Sequence, residues 1–140
     1  MKNPDITLII TNWNGKDLLR ECLPSVLKAV AFDSKRNYEI MVVDDCSTDD
    51  SLVILEKEFP AVRAVKTPVN LGFQRANNYG IEQTQSRLVM PMNNDIKLDE
   101  DALFHLAEHF EKGDAFSVSG KFFGFDGKTF LYGNRGGYFR

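Results

Sequence analysis

Apolar residues come along this chain in two alternating rhythms. Ile6-Thr7-Leu8-Ile9-Ile10 is short, β-branched and nearly continuous, the pattern of a strand buried on both faces of a parallel sheet. A break at Asn14-Gly15 follows. Over residues 16–30 the period lengthens, and Leu18, Leu19, Cys22, Leu23, Val26 and Leu27 return at helical spacing. Pro24 inside that stretch predicts a kink or two helical pieces. The alternation then repeats. Residues 38–43 predict a second strand, and Ser47-Thr48-Asp49-Asp50 offers capping groups for a helix that Pro60 stops. Residues 62–66 predict a third strand, Asn70-Leu71-Gly72 a turn, and residues 73–83 a helix. Residues 88–92 predict a fourth strand, with Pro91 placed near its end because proline removes a ladder donor. Asp99 is the expected cap of a helix over 99–112. Residues 115–123 read as a fifth strand, and Asp126-Gly127 as a hairpin turn into 129–132.

Strand and helix in regular alternation imply right-handed crossovers and an α/β fold, a mostly parallel sheet flanked by helices. Ligands of such sheets sit beyond the carboxyl ends of the strands. Composition narrows the class further. At 140 residues the chain is one domain, and 43% hydrophobic with 26% charged residues is ordinary for a soluble protein. Seventeen basic against twenty acidic residues, net −3 with no basic block, exclude nucleic acid as the expected partner. Cys22 and Cys46 read as free thiols of a reducing compartment. No apolar run approaches the ~20 residues of a membrane span and the start is not a signal peptide, so the expected location is cytoplasmic, with any peripheral attachment at the inner membrane face expected through residues outside 1–140.

The candidate chemistry lies at four strand ends. They carry Thr11-Asn12-Trp13-Asn14-Gly15, Asp44-Asp45-Cys46-Ser47-Thr48-Asp49, Asn70-Leu71-Gly72-Phe73 and Asn93-Asn94-Asp95. Topology gathers all four on one edge, where several carboxylates repel one another unless a cation or hydrogen-bond donors are present. In this order and spacing they resemble the motifs of family 2 glycosyltransferases with a GT-A (Rossmann-like) fold, rhamnosyltransferase-like members included. The resemblance runs through nearly the whole chain and includes Asn77-Asn78-Tyr79-Gly80 in the third motif.

That resemblance implies a UDP- or dTDP-sugar donor site made of Thr11, Trp13, Asp44, Asp45, Asn70, Gly72, Asn94 and Asp95. Asp45 would take the N3–H of the pyrimidine, with Asp44 turned toward the loop or ribose. Thr11 would reach the base, Trp13 would pack on an aromatic or sugar face, and Gly72 would allow a backbone turn or close approach. Asp95 is the implied ligand of a divalent cation, Mg²⁺ or Mn²⁺, that neutralises the leaving diphosphate. Asn93 stands where the family's metal element has its first carboxylate, which lowers the charge there. The implied reaction is inverting transfer to a saccharide or lipid-linked saccharide acceptor, in cell-surface polysaccharide synthesis. Arg75, in a helical first turn, either answers the diphosphate or pairs with Glu82 or solvent.

The resemblance also implies a second half. Residues 1–140 are then the nucleotide-sugar-binding part, and the acceptor site and catalytic base lie outside them, since neither Asp114 nor Asp126 is placed as a base. No catalytic residue is therefore assigned. Phe122, Phe123, Phe125, Phe130, Tyr132, Tyr138 and Phe139 crowd the last nineteen residues, an apolar patch that predicts self-association. His105-Leu106-Ala107-Glu108-His109 matches a zinc-site spacing but falls on a solvated helix face without a third ligand. Two other readings use an acidic α/β sheet. A phospho-receiver-like signalling domain needs its acidic pair after strand one, and a nucleotidyltransferase needs a Gly-rich, Arg- and Lys-bearing loop there; this chain has neither.

Overall fold

The computed structural model describes residues 4–124 and 126–132. Four parallel strands form its central sheet: β1 (Ile6–Asn12), β2 (Tyr38–Asp44), β3 (Arg63–Lys66) and β4 (Leu88–Asn93), in the order β3-β2-β1-β4. Helices α1 (Lys16–Phe32), α2 (Ser51–Glu58), α3 (Phe73–Glu82) and α4 (Ala102–Glu108) surround it. The chain steps outward from β1 to β3, then returns to lay β4 on the other side of β1. That reversal opens a crevice between the carboxyl ends of β1 and β4, the place where such sheets bind ligands. Register keeps those ends level: Asn12 pairs with Asp44, and Thr11 with Asn93.

Both faces of β1 are covered, as its unbroken apolar run requires. Leu8 and Ile10 face α1, α2 and α4 and pack with Leu19, Leu23, Val26, Leu55 and Leu103. Ile9 faces the other way, with Met41, Val43 and Ala76 under α3. Helix α3 lies close because Gly80 has no side chain: a Cβ there would fall 2.7 Å from Val43 Cγ2 and 2.8 Å from Ile9 Cγ2.

Several elements differ from their sequence expectation. α1 runs unbroken through Pro24, which sits on its exposed side, where water can satisfy the carbonyl that proline leaves unpaired. Leu18 is not core but 42% exposed. The helix expected over 99–112 narrows to α4. Asp99 contributes only a backbone carbonyl to Ala102 N–H, and after Glu108 the chain continues in tight turns (Phe110 to Ala107, Glu111 to Glu108, Gly113 to Phe110). The expected fifth strand shrinks to β5 (Phe122–Phe123), which pairs antiparallel with β6 (Phe130–Tyr132) apart from the main sheet. Asp126 does organise the turn between them, accepting the N–H groups of Lys128 and Thr129, but the connection spans residues 124–129 rather than two. Of the aromatic patch, Phe123 and Phe130 are about half exposed; the side chains of Phe125, Tyr132, Tyr138 and Phe139 lie outside the described residues.

Pro91 lies inside β4, not at its end, and the reason is directional. Leu88 N–H donates to Asp5 C=O on the β1 side, so by alternation Met90 and Met92 also face β1 and Pro91 faces the open edge. The N–H that proline lacks would have had no partner in the sheet.

Candidate nucleotide-sugar site

The loops after β1, β2, β3 and β4 meet in a cavity of about 410 Å³. Its wall includes Thr11, Trp13, Asp45, Asn70, Gly72, Asn94 and Asp95. Seven of the eight residues singled out from sequence are thus in one place. The eighth, Asp44, is fully buried behind the wall. Its Oδ2 accepts from Asn12 Nδ2 at 3.1 Å and its Oδ1 from the Ser47 amide at 3.0 Å, so it turns toward the loop. Asp44 and Asp45 are neighbours in an extended chain and so point to opposite sides.

Asp45 holds the loop beyond β3 together. Its Oδ1 accepts Leu71 N–H (2.7 Å) and the Thr67 hydroxyl (2.9 Å), and its Oδ2 accepts Gly72 N–H (2.8 Å). Asn70 Nδ2 adds a bond to the Asp45 carbonyl at 3.3 Å. A carboxylate has about four acceptor positions, so one on Oδ2 stays open. Gly72 reaches this geometry through a positive φ of 78°; the space around its missing Cβ is empty, so its role is conformational rather than close approach. The Thr11 hydroxyl, in a side chain 8% exposed, has no hydrogen-bond partner among the described residues. A buried hydroxyl left unpaired in a cavity wall is a ready partner for a ligand.

The β1 and β2 loops are cross-tied. Asn14, at φ 50°, accepts Thr48 N–H (2.8 Å) and Asp49 N–H (3.3 Å) on its side-chain oxygen, and its own amide donates to Ser47 Oγ (2.8 Å). Asp49 serves two helix starts. It accepts Ser51 N–H of α2 and Lys16 N–H of α1. Burial acts to raise the Asp49 pKa, but these hydrogen bonds and the Ser51 hydroxyl outweigh it and hold the carboxyl below its ordinary value. Ser47 and Thr48, expected as helix caps, tie the loops instead.

Asp95 is exposed at the mouth of the cavity. Its charge reaches the buried Cys22 thiol, which is pushed up to about 12, first by burial and second by Asp95. Among the described residues no three His, Cys, Asp or Glu side chains cluster as a metal cage. The wall carries two carboxylates, four amides and no Lys or Arg. That donor set fits a hard cation shared with a ligand's phosphates, which needs only one or two protein carboxylates. Arg75 is exposed and lies off the wall. Leu18, Phe73, Ala76, Asn12 and Asn93 also line the cavity. Leu18 matched the core period of α1, and Phe73 (61% exposed) opens an amphipathic helix, so neither carried a separate signal.

A parallel sheet with this switch point and these loops is a fold of GT-A type. The chain is a member of Glycosyl transferase family 2, whose model matches residues 7–139. It is 32% identical over 121 residues to TuaG of Bacillus subtilis, a protein named for glycosyl transfer in teichuronic acid biosynthesis; the match covers 84% of this chain and 46% of TuaG. Among solved structures, S. aureus TarS (residues 1–349) in complex with UDP is similar at TM-score 0.66 and 25% identity, over 77% of this chain and 32% of that one. The mannosyltransferase PcManGT of Pyrobaculum calidifontis, solved with GDP-Man and Mn²⁺, shares the fold at TM-score 0.69 and 21% identity, over 85% of this chain and 35% of that one. The chain thus spans about half the length of TuaG and about a third of each solved chain. Family membership sets aside the receiver and nucleotidyltransferase readings. No helix among the described residues is long and apolar enough to cross a membrane.

Proposed function

We propose that this chain binds a UDP- or dTDP-sugar together with Mn²⁺ or Mg²⁺, as the donor site of a glycosyltransferase that builds cell-surface polysaccharide. The observation that carries this reading is the convergence of Thr11, Asp45 and Asp95 on one cavity. A pyrimidine ring presents an N3–H between two carbonyls. The open acceptor position of Asp45 Oδ2 takes that N–H, and the unpaired Thr11 hydroxyl donates to a neighbouring carbonyl. Trp13 and Phe73, both 61% exposed on the wall, supply flat apolar surface for base or sugar.

The diphosphate needs a further partner. A wall with two carboxylates and no basic side chain repels it, and Asp95 is the residue that would hold a divalent ion to offset that charge. When bound, that ion stabilises the charge of the leaving nucleoside diphosphate, a Lewis-acid effect of several kcal/mol. The acceptor in this reading is a saccharide or lipid-linked saccharide, in keeping with the role for which TuaG is named. Transfer with inversion needs a general base within hydrogen-bond reach of the acceptor hydroxyl. Asp45 is engaged by the loop and Asp95 by the ion, so residues 1–140 are assigned donor binding and no base.

Titrating the chain with UDP, dTDP, CDP and GDP, each with and without Mn²⁺, tests this. UDP and dTDP are expected to bind most tightly, with affinity raised by the metal. Equal binding of all four, or none, overturns the base assignment; metal-independent binding overturns the role of Asp95.

A further inference from the structure

From Asp44 behind the cavity wall to Asn12 and Asn94 on it runs a line of polar groups that the reading above does not use. Asp44, fully buried, accepts the Ser47 amide on Oδ1 and Asn12 Nδ2 on Oδ2. Asn12 is 2% exposed, and its Oδ1 accepts Asn94 Nδ2 at 2.8 Å. The direction of every bond is dictated from one end. An ionised carboxylate only accepts, so Asn12 must turn its NH₂ toward Asp44. Its carbonyl oxygen then faces Asn94, and position 94 must donate.

Gly15 supplies a second, independent observation. A Cβ on it would fall 2.4 Å from Asn94 Nδ2 and 2.6 Å from Asn12 Oδ1, the two atoms of that hydrogen bond. The backbone does not require glycine, since φ is −116°. What this position requires is empty space, and the space is filled by the Asn12–Asn94 contact.

We propose that Asp44, Asn12 and Asn94 are positioning residues: a hydrogen-bond relay of one polarity, running over Gly15, that sets Asp95 at the cavity mouth. The proposal rests on the donor-site reading, in which Asp95 holds the ion. It ties the second acidic loop to the fourth strand's end, residues 32 and 82 positions apart from Asn12 in sequence.

Reversing the polarity tests it. Asn94→Asp sets acceptor against acceptor. In Asp44→Asn the Ser47 amide retains the new carbonyl and the new NH₂ faces Asn12; Asn12 and Asn94, both side-chain amides, then turn over together, so this variant is the control in which the relay re-forms in the opposite direction. The double variant completes the same relay in the opposite direction. All four proteins are titrated with UDP with and without Mn²⁺ and with uridine, and their thermal midpoints measured. Asn94→Asp is expected to lose about tenfold of the Mn²⁺-dependent gain in UDP affinity, the effect of one misdirected hydrogen bond, and Asp44→Asn no more than about threefold. Uridine affinity should fall by less than the metal-dependent gain does, and the double variant should regain most of both the gain and the midpoint.

Gly15→Ala, which keeps every charge, should show the same selective loss. A double variant no better than the worse single overturns the relay. Uridine affinity falling in parallel with the metal-dependent gain overturns the positioning role in favour of general loop stability. Wild-type chain that binds no UDP under any condition overturns the donor-site reading itself, an outcome distinct from wild-type binding with unaffected variants.

Discussion

Thr11 and Asp45 share a cavity wall but relate to it in opposite ways, and their substitutions should separate accordingly. The Thr11 hydroxyl has no partner among the described residues, so Thr11→Val removes nothing the fold uses. Its unfolding free energy should change by less than about 0.5 kcal/mol while UDP affinity falls about five- to tenfold, the worth of one hydrogen bond. Asp45 satisfies two backbone amides and a hydroxyl. Asp45→Asn replaces charge-assisted bonds and presents an NH₂ to existing donors, so stability should drop by about 2 kcal/mol and UDP affinity at least tenfold. Calorimetry on both variants checks the contrast. A Thr11→Val protein as destabilised as Asp45→Asn would contradict it.

Between the elements, the connection from α1 to β2 depends on one buried carboxylate. Asp33 accepts from Arg36 (2.6 Å), the Tyr38 hydroxyl (2.7 Å) and the Lys35 amide (3.1 Å), and Arg36 reaches on to Glu111 beyond α4. Burial acts to raise the Asp33 pKa, but the bonds from Tyr38, Arg36 and Lys35 outweigh it and hold the pKa below its ordinary 3.8. A carboxylate depressed in the folded state contributes stability that is present above the unfolded value and lost as pH falls through the folded one. Asp33→Asn should therefore cost about 2 kcal/mol at pH 7 and show a shallower loss of stability below about pH 4. Thermal melts of wild type and variant from pH 7 to pH 2.5 read this directly; parallel curves would assign the acid limb to other groups.

For the whole molecule, β4 is one of the two edge strands of the sheet, the one whose outward side carries Pro91. An exposed apolar edge recruits other strands. Pro91 blunts it, because its missing N–H falls on the outward side and leaves outward donors only at Val89 and Asn93 within the strand. Pro91→Val should restore the row and raise self-association, seen as concentration-dependent sedimentation. The aromatic β5–β6 ribbon predicts association by another surface, so Phe130→Ser should reduce any association of the wild type without changing the Pro91→Val increment.

Much of this was legible in the residues. Continuous β-branched runs mark strands buried on two faces, helical spacing marks α1 to α4, and the acidic and amide-bearing loops announce the strand ends. These are local signals, set by side-chain period over a few residues. They misplaced what depends on surroundings: Pro24 is tolerated because its side of α1 meets water, and Leu18 keeps the core period yet lines the cavity. Strand order and the contact of Asn12 with Asn94 came only from the tertiary structure, which also turned Asp44 to the loop, one of the two directions expected of it. The physical reason is distance along the chain. Period states which neighbours share a face, whereas packing of helices on the sheet decides which faces meet and which distant side chains touch.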